Sequence, residues 1–448
     1  MRRQNSARLL RRSRAEEMRR LHISEWKRRL SEGFFDGELS ALYSSVPDAA
    51  RARYLDVLGT FEKTFGDADA VMISAPGRTE LAGNHTDHQN GTVLCAAVTL
   101  DALAAAAPAD SGEVRILSAG FGEIRLTLDD PAPRSEERGT SAGIVRGVAA
   151  GLVRRGFKAG GLRAVVSSLV PAGSGLSSSA AFEVLIGAVF SRVYNGGAVD
   201  ALTLAMIGRE AERDYFGKPS GLMDQAASAC GGITMIDFAD PALPRVERLR
   251  FDFREHGYTL CVADTRTSHA DLTGDYASIP ADMRSVAAYF GQDLLRYVDE
   301  AAFRSPENRA ALTARSGERA VLRAEHFFEE NARVYEMKAA LARGDMDAYI
   351  AMMNASGASS REKLRNVVPF SHPEQTAMAE ALDRAGALLA GRGAWRIHGG
   401  GFAGCIQCLV PAADFAAFRS KMDGYYGEGA CQELNIRPCG PYALGTEL

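Results

Sequence analysis

The stretch Pro171-Ala172-Gly173-Ser174-Gly175-Leu176-Ser177-Ser178-Ser179-Ala180-Ala181 stands between two apolar segments. Before it lies the glycine-bounded, β-branched run Leu162 to Val170, and Ala180 to Tyr194 carries apolar residues at helical spacing. The loop therefore opens a helix. There the first backbone N–H groups lack intrahelical acceptors and the macrodipole is positive, so a polyphosphate can be held without a lysine. The expected cradle is Gly173, Gly175, Leu176, Ser177, Ser178 and Ser179. Its glycines allow close backbone approach, and its serines offer hydroxyls to phosphate oxygens or a metal ion. A Gly/Ser linker would not be pinned between a strand and a helix, and no G-K-[ST] follows the glycines, which disfavours a Walker-type loop. An ordinary capped helix start is the plainer alternative.

Upstream, Val71-Met72-Ile73-Ser74-Ala75-Pro76-Gly77-Arg78-Thr79-Glu80-Leu81-Ala82-Gly83-Asn84-His85-Thr86-Asp87-His88-Gln89-Asn90-Gly91 leads into the apolar run Thr92 to Val98 and reads as strand, polar loop, strand. The loop concentrates Arg78, Asn84, His85, Asp87 and His88. Carboxylates accept from adjacent sugar hydroxyls, amides both donate and accept, and an arginine stabilises phosphate charge. A metal site at His85-x-x-His88 with Asp87 would need a third histidine or cysteine nearby and a helix to align the pair, and neither is evident. Leu100 to Leu128 suggests a meander of strands, and Ser141 to Arg155 a helix.

Downstream, a helix over Leu202 to Tyr215 ends at Gly217-Lys218-Pro219-Ser220-Gly221, and Asp224 follows at the start of the next helix. An aspartate there is often only a cap. With Glu212 on the preceding helix and Ser179 on the loop, one carboxylate can hold Mg²⁺ while the other faces a hydroxyl nucleophile. Gly257 to Asp264 reads as a strand, Thr265 to Pro280 as a loop, and Arg396 to Cys405 as a glycine-rich turn before another strand.

The 448 residues, 46% apolar and 24% charged, suit a soluble enzyme of two domains, and the net charge of −4 argues against nucleic acid as the main partner. Seven scattered cysteines suit reduced thiols in a cytoplasmic protein. In a strand, Cys405 and Cys408 would face opposite sides, which excludes a shared zinc. No apolar run approaches about 20 residues, so no membrane span is expected. The first twenty residues, with eight arginines, read as a solvated arm, and the sequence up to about residue 66 reads as helices.

Three stretches in this order resemble the galactokinase branch of the GHMP small-molecule kinases. Gly77 to Asp87 is similar to the signature G-R-x-N-L-I-G-E-H-T-D-Y, Pro171 to Ala181 matches P-x-G-x-G-L-S-S-S-A-A throughout, and Gly399-Gly400-Gly401-Phe402-Ala403-Gly404-Cys405 resembles G-G-G-F-G-G-C. The resemblance implies ATP- and Mg²⁺-dependent phosphorylation of a sugar's anomeric hydroxyl. It implies a two-domain α+β GHMP-kinase fold: a helical extension over 1–66, an N-terminal mixed-sheet domain over 67–248, and a ferredoxin-like C-terminal domain over 249–448. By the same resemblance Asp224 is the catalytic base, and Arg78 stabilises charge beside it. Ser179 and Glu212 are Mg²⁺ ligands, and Asn84, His85, Asp87 and Tyr276 bind the sugar. A monomer working on small molecules is expected. Asn84 replaces the signature's glutamate, His88-Gln89 replaces Tyr-Asn, and the 271–276 loop departs from S-E-Y-N-x-R. Galacturonate, L-arabinose or N-acetylgalactosamine are therefore alternative substrates, and a non-catalytic sugar sensor is the non-enzyme alternative.

Overall fold

The computed structural model describes residues 20–119, 122–171, 175–218, 220–268 and 271–446. The first nineteen residues, and with them nearly all of the arginine-rich arm, lie outside the described residues, as does Gly173 of the expected cradle.

Side-chain alternation in three central strands sets the architecture. In β2 (Asp69–Ala82), β3 (Thr92–Pro108) and β6 (Leu162–Ser168), residues such as Val71, Ile73, Ala104, Ala106, Ala164 and Val166 point into one core. The intervening Met72, Leu103, Ala105 and Val165 point into another. A strand apolar on both faces must be covered on both. One cover is the helical layer α4 (Ser141–Arg154), α5 (Ser178–Asn195), α6 (Ala201–Glu210) and α7 (Met223–Cys230). The other is the N-terminal set α1 (Ile23–Ser31), α2 (Asp36–Tyr43) and α3 (Asp48–Phe65), which lays Trp26, Leu39, Tyr54, Leu58 and Phe61 on the sheet.

The strand order is β1-β2-β3-β6-β4-β5, with β1 (Leu21–His22), β4 (Glu113–Ser118) and β5 (Gly122–Thr127). The expected meander from Leu100 to Leu128 is therefore corrected: β6 lies between β3 and β4, antiparallel to the first and parallel to the second. Burial decides this. β6 is apolar enough for the interior, whereas β4 and β5 carry Glu113, Arg115, Glu123 and Arg125 as cross-strand ion pairs on a solvated outer edge. β7 (Ile233–Asp237) pairs with β3, and β8 (Arg245–Leu249) with β7.

The second sheet is antiparallel, β10-β11-β9-β12, built from β9 (Tyr258–Asp264), β10 (Ala394–Ile397), β11 (Cys405–Pro411) and β12 (Cys431–Glu433). As expected of a strand, Cys405 and Cys408 face different cores. Helices α8 (Thr273–Tyr289), α9 (Pro306–Ser316), α10 (Glu318–Arg343) and α11 (Met346–Ser359) precede β10. α12 (Ala377–Leu389) and α13 (Phe415–Tyr426) pack on the sheet. The loop read as far as Pro280 ends at Leu272 instead. Pro280 sits inside α8, because Ile279, Met283, Val286 and Ala287 recur at helical spacing and are buried in the core. The tail returns to the first sheet, where β13 (Tyr442–Ala443) pairs with β2.

Candidate active site

Gly77 lets β2 break step. Its pairing with β3 shifts register between Pro76 and Arg78 and again between Glu80 and Ala82, and a Cβ at 77 would lie 3.1 Å from the carbonyl oxygens of Leu100 and Leu176. The bulged strand thus lies against the phosphate loop, where the Arg78 amide donates to the Leu176 carbonyl at 3.1 Å. Arg78 is buried. Its Nε and Nη2 each reach Asp224 Oδ1 at 2.8 Å, and its Nη1 donates to the Gly175 carbonyl. Asp224 stands in the first turn of α7, and its Oδ2 accepts from the Ser177 hydroxyl. Burial pushes this carboxyl up, but the Arg78 guanidinium, the Ser177 hydroxyl and the Lys218 ammonium outweigh it. The net effect holds Asp224 below the usual carboxylate range.

Ser177 caps α5 in the left-handed region at φ 57°, ψ 63°. Such strain costs about 1–3 kcal/mol in a non-glycine residue and persists only where surrounding contacts fix it. Gly175, at φ +72°, turns the chain just before, buried Leu176 anchors the loop, and Ser178 and Ser179 open the helix.

Ser179 Oγ donates to Glu212 Oε1 at 3.2 Å, and the same oxygen accepts from Lys218 Nζ at 2.8 Å. Glu212 lies in a π-helical turn, Ala211–Phe216, that continues α6 and swings its carboxylate toward α5. Gln225 Nε2 donates to Glu212 Oε2 at 3.0 Å and to Glu183 Oε2 at 2.8 Å. Burial, with Glu212 nearby, pushes the Glu183 carboxyl well up. A serine hydroxyl and one carboxylate are hard oxygen donors of the kind Mg²⁺ takes when phosphates complete its shell. Among the described residues no group of three His, Cys, Asp or Glu could hold a metal.

Asp87 and Asp224 are close enough to feel each other. Burial and the Asp224 charge push Asp87 up to about 6. Gly221 passes so close to its carboxylate that a Cβ there would collide. His85, at φ 59°, donates from Nε2 to Gly400 O at 3.0 Å, and its Nδ1 lies 3.2 Å from His88 Nε2. Gln89 Nε2 in turn lies 3.2 Å from His88 Nδ1, a chain that assigns both rings as neutral. Burial lowers His85 to about 4 and His88 well below its ordinary value. Asn84 is buried with Glu80, and the Glu80 carboxylate pairs with buried Arg396. The Tyr276 hydroxyl donates to Gly401 O. The structure thus brings Arg78, Asp224 and Ser177 into one hydrogen-bonded set and Ser179 and Glu212 into a second, with the Lys218 charge acting on the carboxylates of both. It places Asp87 beside them, and Asn84, His85 and Tyr276 around the glycine turn.

Sequence reasoning passed over Lys218, Gln225, Glu183, Glu80 and Arg396. Glu183 had a signal, since it lies four residues beyond Ser179 and hence on the same helix face. Lys218 sat in a turn read only as a helix stop.

A bulged arginine strand, a serine-rich helix start and a half-buried, ionised aspartate define a small-molecule kinase of the GHMP class. The model for the GHMP kinases N terminal domain matches residues 143–232, and the galactokinase galactose-binding signature matches residues 59–108. A galactokinase of Streptomyces coelicolor is 34% identical over 391 residues, covering 87% of this chain and 97% of that protein. The chain belongs to the galactokinase family. The crystal structure of Lactococcus lactis galactokinase complexed with galactose superposes with a TM-score of 0.72 at 24% identity, over 86% of this chain and 98% of that one. Methanococcus jannaschii mevalonate kinase shares the fold, with a TM-score of 0.58 at 15% identity over 82% and 98%.

Proposed function

We propose that this protein transfers the γ-phosphoryl group of ATP to the anomeric hydroxyl of galactose, with Asp224 as base. The observation that carries the reading is the Arg78 bridge, which joins the Asp224 carboxylate to the Gly175 carbonyl of the phosphate loop. Asp224, held ionised, accepts the hydroxyl proton. The sugar oxygen forms its bond to the γ-phosphorus as the bridge to the β-phosphate breaks, and ADP leaves. Arg78 opposes the charge that spreads over the transferring oxygens, while Leu176 to Ser179 present N–H groups and hydroxyls to the phosphate chain. Ser179 and Glu212 would hold Mg²⁺, which when bound neutralises phosphate charge. Asp87 faces the substrate as hydroxyl acceptor, with Asn84, His85 and Tyr276 completing the sugar side of the cleft. Seven free thiols accord with a cytosolic setting. Among the described residues, no helix is long and apolar enough to cross a membrane.

A coupled ADP-release assay across monosaccharides tests the reading. Galactose should give the highest kcat/KM, and a clear preference for galacturonate, L-arabinose or N-acetylgalactosamine would replace galactose while leaving Asp224 in its role. Nucleotide binding with no turnover on any sugar would return the protein to the class of sensors.

A further inference from the structure

Between Gly83 and Thr92 the chain leaves β2 and returns as β3, carrying His85 and Asp87 in between. The neck of this loop is closed from within by Thr86, whose hydroxyl lies 2.9 Å from Gly83 O and 2.8 Å from Thr92 O. From outside it is held by α10, a helix far along the chain. His326 Nε2 donates to Asn84 O at 2.9 Å, Glu330 Oε1 accepts from Gly83 N at 3.0 Å, and Asn331 Oδ1 accepts from Thr92 N at 2.7 Å. His326 and Glu330 stand four residues apart on one helix face, and Asn331 flanks them. All three bonds go to main-chain atoms. They therefore fix the path of the loop and leave its own side chains to meet a substrate.

The holders are themselves held. His326 and Glu330 are fully buried, and α11 supports both: Ser356 Oγ donates to Glu330 Oε1 at 2.7 Å, and Ser359 Oγ lies 2.8 Å from His326 Nδ1. Because Asn84 O can only accept, the His326 ring carries its hydrogen on Nε2, and Nδ1 accepts from the serine. Burial, which lowers His326 below its ordinary value, agrees with that neutral form. Burial pushes Glu330 up, yet the Arg333 and Arg396 guanidinium groups outweigh it and hold the carboxyl at about 2. An ionised acceptor makes a stronger bond to a backbone N–H than a neutral one. Such groups cost more to bury than apolar side chains, and what they add is direction. Two glycines let the helix come this close: Gly83 has a φ of +94°, and a Cβ at Gly91 would lie 2.9 Å from Phe327 Cε2.

We propose that α10 is the frame of the sugar loop, and that His326, Glu330 and Asn331 are positioning residues that fix the main chain on which His85 and Asp87 are presented to the substrate. The proposal rests on the kinase reading above and deepens its sugar side. The frame reaches the loop from Gly83 to Thr92, whereas the phosphate loop is held by Arg78 and runs into α5. Loosening the frame should therefore weaken the sugar and spare the nucleotide.

Asn331→Leu is the mildest test, because it deletes one acceptor and keeps a good helix former. The KM for galactose should rise about three- to tenfold, the loss of one hydrogen bond, and kcat should fall. The KM for ATP, and the calorimetric affinity for adenosine 5′-(γ-thio)triphosphate without sugar, should stay within about twofold. Hydrogen exchange over residues 83–92 should quicken, and over α5 should not. His326→Leu should act in the same direction more strongly, and His326→Gln, whose amide still donates to Asn84 O, should return most of the galactose affinity. A merely structural role would lower the Tm and the active fraction with galactose KM unmoved, or raise both KM values alike, and either result would overturn the frame. If the wild type prefers another monosaccharide, the same comparison is read on that sugar. If it binds nucleotide but phosphorylates no sugar, the proposed function fails, and exchange over 83–92 with calorimetric titrations of the same sugars still decides the frame.

Discussion

At Asp224, burial alone would favour the neutral acid, yet Arg78, Ser177 and Lys218 keep the carboxylate ionised. Asp224→Asn preserves shape and removes the proposed proton acceptor. We expect kcat to fall about 10²–10⁴-fold while calorimetry shows nucleotide still bound. Asp87 is the opposite case: burial and the Asp224 charge raise it to about 6. The folded protein then keeps a proton there that the unfolded chain releases near its ordinary value of 3.8. Stability from this group is therefore present below pH about 4, is lost as pH rises toward 6, and stays lost above it. Asp87→Asn should raise the melting temperature at pH 7.5 and gain little at pH 4, while it raises the KM for galactose. In the wild type, galactose KM should climb as pH drops through about 6. A third aspect of residue chemistry is Asn84. From the signature alone, a glutamate there would strengthen sugar binding, but Glu80 Oε1 lies 3.1 Å from the Asn84 amide and reverses that sign. The signature carries asparagine where this chain has Glu80 and glutamate where it has Asn84, so the two residues have exchanged places. Asn84→Glu alone would set two buried carboxylates together and should lose activity and stability. Joining it to Glu80→Asn should recover at least tenfold in kcat/KM, and a double variant no better than the single would refute the coupling.

Among the elements, the helix starting at Ser178 and the strand before it were legible because period and punctuation agreed, and Asp224 at the start of α7 was legible from its position after a turn. The π-helical turn at Ala211–Phe216 was not. A single widened turn leaves no trace in a 3.6-residue pattern, yet it decides which way Glu212 points. The stretch before Pro280 was misread for the converse reason: proline is a strong local stop, but the apolar repeat from Ile279 to Ala287 had more buried surface to offer than one backbone hydrogen bond costs. Prediction at this scale concerns the carboxylate that the π turn delivers. Glu212→Gln leaves an amide that cannot balance either Lys218 or a divalent cation. The Mg²⁺ concentration needed for half-maximal rate should rise about tenfold or more, with galactose KM little changed. An unaltered Mg²⁺ titration would remove Glu212 from the metal site.

At the scale of the whole molecule, the motifs identified the family, but how the chain closes on itself was hidden, because it depends on residues hundreds of positions apart. Asp101 on β3 is the meeting point. It is fully buried, accepts from Arg437 Nη1 in the C-terminal tail at 2.8 Å and from Tyr43 on α2 at 2.7 Å, and pairs with Arg53 on α3. Arg437 also donates from Nη2 to Ser74 Oγ on β2 at 2.9 Å. One carboxylate thus ties the N-terminal helices, the first sheet and the returning tail. None of these partners was a motif residue, so no reading of local pattern would have joined them. Removing one partner from a buried charge network costs about 3–5 kcal/mol, because the others are left desolvated and unpaired. Asp101→Asn leaves the Arg437 and Arg53 guanidinium groups facing a neutral amide, among the N-terminal helices and the tail rather than the helical layer that carries Asp224. Denaturant unfolding should show a loss of that size, while the fraction that stays folded keeps wild-type KM for galactose and ATP. If the helical layer merely decorates the sheet, the unfolding curve will be unmoved.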